Sequence, residues 1–181
     1  WIDATTQRWV EEDPRSPFAL TARGLYLVAA AYQARGTKFA RDTSEIQFMQ
    51  MRSIARKALS KLNEALEIEP RLMPAYYGLI DLSKIYGDPD LLDSTLKKAL
   101  AADAADESIY SMWMTAVQPK WGGSLSQMQH VADEASTHVR DNPLLALLQA
   151  QPYCYSAEML TCRDCGNASS LQKRQAEALR L

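Results

Sequence analysis

The sequence predicts an all-α protein built as a stack of antiparallel helix pairs, and three observations carry that expectation. The first is composition. Of 181 residues, 47% are apolar and 23% charged, with Gly and Pro scarce at 7 and 8. Ala and Leu are abundant and Val, Ile and Thr thin, which favours helix over strand. The second is punctuation: most Gly and Pro residues fall between runs whose apolar positions recur with a helical step. The third is repetition. Tyr76, Leu79, Ile80 and Ser83 are followed 34 residues later by Tyr110, Trp113, Met114 and Val117, and after another 34 by Leu144, Leu147, Leu148 and Gln151. Steps of 3, 1 and 3 trace one stripe of an α-helix.

Companion stripes lie between these. Ala58, Leu62, Ala65 and Pro70 recur at an offset of 34 as Leu92, Leu96, Ala99 and Ala104, and Met128, Ala132, Ala135 and Arg140 keep the steps at an offset of 36. Small residues at Ala65, Ala99 and Ala135 let helices approach, while the larger neighbours fill grooves. A pair with one apolar stripe cannot bury itself alone, so such pairs stack.

This pattern resembles the tetratricopeptide repeat. The shared features are a bulky residue, a bulky–small pair, an aromatic, then a small–aromatic–small series ending in Pro. Residues 73–106 match it best. Pro70 fills the terminal Pro position, whereas Ala104 and Arg140 replace it in later copies. The resemblance implies a right-handed stack of about three to four antiparallel pairs, with an insertion in the first pair. The segments WVEEDPRSPFALTARG, QARG and MWMTAVQPKWGGSLSQM are also similar to a narrower group, the uncharacterised bacterial family called domain of unknown function 4034. Trp113, Pro119, Trp121, Gly122, Gly123 and Ser124 carry most of that likeness, which would cover most of residues 1–150. It implies a tetratricopeptide-like fold in a bacterium and brings no activity with it.

The elements follow in order, as one helical domain over 1–181. Residues 1–13 read as a leading helix, with Ile2, Thr6, Trp9 and Val10 in a stripe. Ser16-Pro17 starts a very apolar helix to Arg35, ended by Gly36. Two registers fit it: Leu20, Arg23, Gly24, Leu27, or Phe18, Thr21, Ala22, Leu25. Residues 37–51 are an insertion. A long helix from Ser44 to Ile68 follows, with Ile46, Met49, Ile54, Ala58, Leu62 and Ala65 expected inside, completing a first pair over 17–70. The second pair spans 73–104, turning at Gly87-Asp88-Pro89-Asp90. The third spans 107–140, turning through Pro119–Ser124 with its second helix running to Arg140. Asn142-Pro143 opens a diverged last pair over 143–181, ending in a helix from Ser169 or Ser170.

Several classes of function are disfavoured at this level. A net charge of −2 gives no basic field for nucleic acid. No apolar run approaches the roughly 18 residues of a membrane span. The chain opens at Trp1 without Met, as an excised or processed chain would, so compartment stays open. Cys154, Cys162 and Cys165 cluster in one stretch. Cys162-Arg163-Asp164-Cys165 is one zinc-type knuckle where a structural site needs two. In an exported chain Cys154 could pair with Cys162 or Cys165; otherwise packed thiols are favoured. His130, Glu134 and His138 sit at i, i+4 and i+8. Helix rise places the two histidines about 12 Å apart, too far for one ion, so a solvated face is favoured. Gly122-Gly123-Ser124 could present N–H groups to an anion but lacks the Lys of a phosphate loop, and a capped turn is favoured. Trp113 and Trp121 read first as core. No nucleophile elbow, His-Glu-x-x-His or dinucleotide fingerprint occurs. Neither a metal nor a cofactor is expected.

The expectation is therefore a non-enzymatic scaffold for a peptide or protein loop. The alternatives are a dedicated inhibitor of a bacterial toxin, or an enzyme with an unrecognised site. In the repeat geometry the first helix of each pair lines the concave side. Tyr77, Asp81 and Lys84, then Ser111, Thr115 and Gln118, lie just off the core stripes there. With Trp121 they form the expected partner surface. Partner identity and oligomeric state are not legible.

Overall fold

The computed structural model describes residues 1–38 and 40–161. These residues contain eight α-helices and no strand. The chain divides into two compact units, Trp1–Asp103 and Ala104 onward.

The first unit holds α1 (Ile2–Glu12), α2 (Pro17–Arg35), α3 (Glu45–Ile68), α4 (Met73–Tyr86) and α5 (Pro89–Ala102). The Ser16 hydroxyl accepts the Ala19 N–H to start α2, with Pro17 in the first turn. Gly36 ends it at φ 76°. A capping box opens α3: Ser44 Oγ accepts the Gln47 N–H at 3.3 Å, and Gln47 Oε1 accepts the Ser44 N–H at 3.2 Å. Gly87, at φ 63°, closes α4, and the Asp88 carboxylate then accepts the Leu91 N–H at 3.0 Å to begin α5.

α2 packs on α3 and α4 on α5, and α4 also lies against both α2 and α3, so two antiparallel pairs stack. Leu62 of α3 is the central knob and is fully buried. It fits because α2 and α4 each present a glycine to it. A Cβ on Gly24 would lie 2.6 Å from Leu62 Cδ2, and one on Gly78 would lie 2.7 Å from Leu62 Cδ1.

The burial pattern chooses between the two registers of α2. Leu20, Gly24 and Leu27 are buried, while Phe18 is 61% exposed. Arg23 occupies the awkward slot without being stranded. Its guanidinium is 2.6 Å from the Asp3 carboxylate, donates to the Thr6 hydroxyl at 3.2 Å, and lies over the Tyr26 ring. This arginine fastens α1 to α2.

The inner face expected for α3 needs correction at its start. Ile46 and Met49 are exposed, and the buried stripe is Met51, Ala55, Ala58, Leu62 and Ala65. At 3.6 residues per turn, Met49 falls half a turn away from Ala58. Apolar character there misled; phase did not.

The second unit holds α6 (Glu107–Ala116), α7 (Leu125–Ser136) and α8 (Gln151–Thr161). Asp106 caps α6 through the Ile109 N–H, and Ser124 caps α7 through the Gln127 N–H. A 3₁₀ turn over Pro119–Trp121 joins them and leaves through Gly122 at φ 94°. Gly123 is required for a different reason: a Cβ there would sit 2.0 Å from the Val117 carbonyl oxygen.

α7 stops at Ser136 rather than Arg140. Asn142 then reaches back, its amide donating to the Ala105 carbonyl at 2.8 Å, and Pro143–Ala150 runs as 3₁₀ helix. That geometry overturns the third copy of the stripe. With three residues per turn, positions three apart eclipse. Leu145 and Leu148 are buried together, while Leu144 and Leu147 are 57% and 68% exposed. The final helix expected from Ser169 or Ser170 lies outside the described residues.

Candidate binding surfaces

On α4 the stripe Tyr76, Leu79, Ile80 and Ser83 is buried, as its spacing demands. The neighbouring positions Tyr77 and Asp81 are half-buried. Lys84 is more committed than its sequence position suggests. Its side chain is 10% exposed, with the ammonium 2.5 Å from Asp81 Oδ1. The same turn of α4 is tied to α2, since the Tyr32 hydroxyl donates to the Asp81 carbonyl at 3.2 Å. Burial, and secondarily the Asp81 carboxylate, pushes the Tyr32 phenol well above its ordinary range. Lys84 thus acts as a brace that fixes the Asp81 carboxylate.

The corresponding positions of α6 are held in the same manner. Ser111 Oγ donates to Glu107 Oε1 at 2.5 Å, and Thr115 Oγ1 donates to the Ser111 carbonyl at 2.9 Å. Gln118 works through its backbone: its carbonyl accepts the N–H groups of Trp121 and Gly123 at 2.9 and 3.2 Å. Its side-chain oxygen is buried without a hydrogen-bond partner among the described residues. Trp121 is half-buried at the turn. Ser124 is absorbed by capping and by its neighbours Ser126 and Gln127, so the Gly-Gly-Ser sequence builds a turn.

The histidines join an aromatic cluster. Trp113 stacks on Tyr110 with centroids 6.0 Å apart, and His130 meets Trp113 edge-on at 6.0 Å. His138 packs 6.3 Å from Tyr110 with its Nδ1 3.8 Å from the Asp141 carboxylate. Because α7 ends at Ser136, His138 lies beyond the helical stripe assumed for it. Burial, with a further push from Glu134, raises the Tyr110 phenol. Among the described residues, no group of three or more His, Cys, Asp or Glu is placed to hold a metal ion. Cys154 is exposed on α8; Cys162 and Cys165 lie outside the described residues.

The sequence reading missed one feature of the first unit. α3 and α5 each pack on α4 and leave an open trough of about 920 Å³ between them. Tyr76 and Leu79 of α4 line it together with Leu66 of α3 and Leu91 of α5. The trough exists because α5 contributes small side chains there: Ser94, Thr95, Ala101 and Ala102. The signal was present as a second stripe on α5. Leu91, Ser94, Lys98 and Ala101 step by 3, 4 and 3 beside the core stripe.

Among the described residues, no helix is long and apolar enough to cross a membrane. No curated protein and no solved structure matches the chain. Residues 2–111 match the family model described as domain of unknown function (DUF4034). The match ends just before Trp113–Ser124, the stretch on which the narrower sequence resemblance leaned. It covers the first unit from Ile2 onward, whose helix-pair packing is of the tetratricopeptide-like kind. The chain belongs to the DUF4034 family.

Proposed function

We propose that this protein is a helical-repeat scaffold that holds a peptide or protein loop against the first-helix face of a pair, a face that α4 presents in the first unit and α6, by itself, in the second. One observation carries the reading. On each of these helices a largely buried apolar stripe runs beside a polar stripe whose oxygens are already fixed in place. Lys84 orients Asp81, Glu107 accepts from Ser111, and Thr115 donates to the Ser111 carbonyl. Each carboxylate keeps lone pairs in reserve after these bonds. Side chains held before binding lose less entropy on binding, which favours affinity. The surface is rich in acceptors, so it suits a partner segment that offers N–H groups, lysine or arginine.

Affinity capture with the full chain tests this, followed by titration of the recovered partner against Asp81→Asn, Thr115→Val and the double variant. Each substitution leaves the core stripe intact. The expected result is weaker binding in each single variant and a larger loss in the double. Unchanged binding across all three, with unchanged circular dichroism, would remove these faces from the function.

A further inference from the structure

The geometry points to a second recognition site in the first unit: the trough between α3 and α5 binds an acidic amphipathic helix from a partner protein. This goes beyond the first-helix faces, because it uses the Tyr76 and Leu79 edge of α4 and the second helices of the pairs. Shape argues first. The floor is Tyr76 and Leu79, and Tyr76 is held there by a 2.8 Å hydrogen bond from its hydroxyl to the Pro70 carbonyl. Two helical walls around an apolar floor accept a third helix by ridges-into-grooves packing, with anchors at i, i+3 or i+4, and i+7. A volume of about 920 Å³ lies at the top of the ~300–1,000 Å³ range of small-ligand pockets, and this trough is open rather than enclosed.

Charge selects the partner. Arg71 and Lys98 line the trough and are both exposed. Among the described residues neither makes an ion pair, although other cations of the chain, such as Arg23 and Lys61, do. Against these two cations the lining offers one acid, Glu67. The exposed Asn63 amide adds a further donor. The mouth therefore carries more donors than acceptors and a positive excess, over an apolar floor. A helix with Leu-type anchors and Asp or Glu on its flanks is complementary in both respects. A basic helix would face Arg71 and Lys98 with like charge.

The test displays random peptides about a dozen residues long, some three helical turns, against the immobilised full chain. Fluorescence polarisation then follows the best selected peptide. The expected peptides combine apolar residues at helical spacing with Asp or Glu. Their affinity should fall about 10-fold or more in Arg71→Glu/Lys98→Glu and fall with added salt. Ser94→Trp should abolish binding, because it fills the trough from a rim position that is exposed in the folded chain. Asp81→Asn and Thr115→Val should leave this peptide's affinity unchanged, which separates the site from the first-helix faces. Several results would overturn the proposal: failure to select any peptide, selection of basic or charge-indifferent peptides, or binding that survives Ser94→Trp in a variant with wild-type circular dichroism. So would sedimentation showing a dimer that Ser94→Trp turns into monomer, since the trough would then hold a second copy of this chain.

Discussion

The packing of Leu62 between two glycines predicts an unusual sign pattern on substitution. Replacing a helical Gly by Ala ordinarily stabilises by about 0.8–1.0 kcal/mol, because Gly has the greater backbone freedom to lose. At Gly24 and Gly78 the new methyl would instead lie 2.6 and 2.7 Å from the two Cδ atoms of Leu62. Separations under 3 Å force movement, and overpacking a core costs roughly 1–3 kcal/mol. Either single variant leaves Leu62 one side toward which to yield. The expected net change is thus between neutral and a loss of about 2 kcal/mol. In Gly24→Ala/Gly78→Ala both sides are closed, Leu62 is fully buried, and the loss should exceed the sum of the single losses. Leu62→Ala alone should cost about 2–5 kcal/mol. In that background the same glycine changes should reverse sign, each now gaining about 1 kcal/mol from helix propensity while its methyl fills part of the cavity. Urea unfolding followed by circular dichroism across the eight combinations reads every term. If Gly24→Ala/Gly78→Ala is instead about 2 kcal/mol more stable than wild type, propensity alone governs these sites and the account of Leu62 as a wedged knob is wrong.

Four further outcomes are expected. Gly123→Ala should lose more than about 2 kcal/mol, since its Cβ would strike a backbone oxygen that cannot rotate away. Gly87→Ala, at φ 63° with open space around it, should cost only about 1 kcal/mol and Gly87→Asn less, both read by thermal melts. Arg23→Ala should loosen α1, seen as faster amide exchange and proteolysis within Ile2–Glu12, with a global loss of about 1 kcal/mol because Asp3 is 61% exposed. The tyrosines predict an alkaline limit. Burial raises the phenols of Tyr32, Tyr76, Tyr86 and Tyr110, so folding favours their neutral forms. That contribution is complete below the unfolded value of about 10 and is lost as pH rises through the folded values. Stability should fall steeply above that pH, and Tyr32→Phe should flatten the fall most, as followed by urea midpoints across the alkaline range.

Phase, more than hydrophobicity, made the fold legible in the sequence. The 34-residue offset located Tyr76, Leu79, Ile80 and Ser83, and all four are buried. It also located Leu62 and Ala65, whose neighbours lie on helices far away in sequence. The reading failed where local geometry changed the period. Pro143–Ala150 winds at three residues per turn, so a stripe counted at 3.6 points two of its three leucines, Leu144 and Leu147, outward. It failed again at Ile46 and Met49, where apolar side chains were given more weight than their angle from Ala58. Lys84 shows the limit for surfaces. A lysine just off a core stripe looks free in one dimension, and only the three-dimensional neighbourhood covers it to 10% exposure against Asp81.

The trough between α3 and α5 shows why a repeat pattern reveals its core before its binding sites. Stacking requires each core position to be filled in every copy, so those positions repeat and can be aligned. A cleft between second helices requires the reverse: positions that could fill the seam must stay small. Ser94, Thr95, Ala101 and Ala102 are unremarkable as residues for that reason, because no stripe of bulky side chains announces them. What distinguishes them is the pairing of that smallness with two cations, Arg71 and Lys98, that no acid of the chain neutralises among the described residues. Reversing the two charges therefore separates the explanations: a passive seam would keep its stability and lose nothing, whereas a recognition site would keep its stability and lose its acidic ligand.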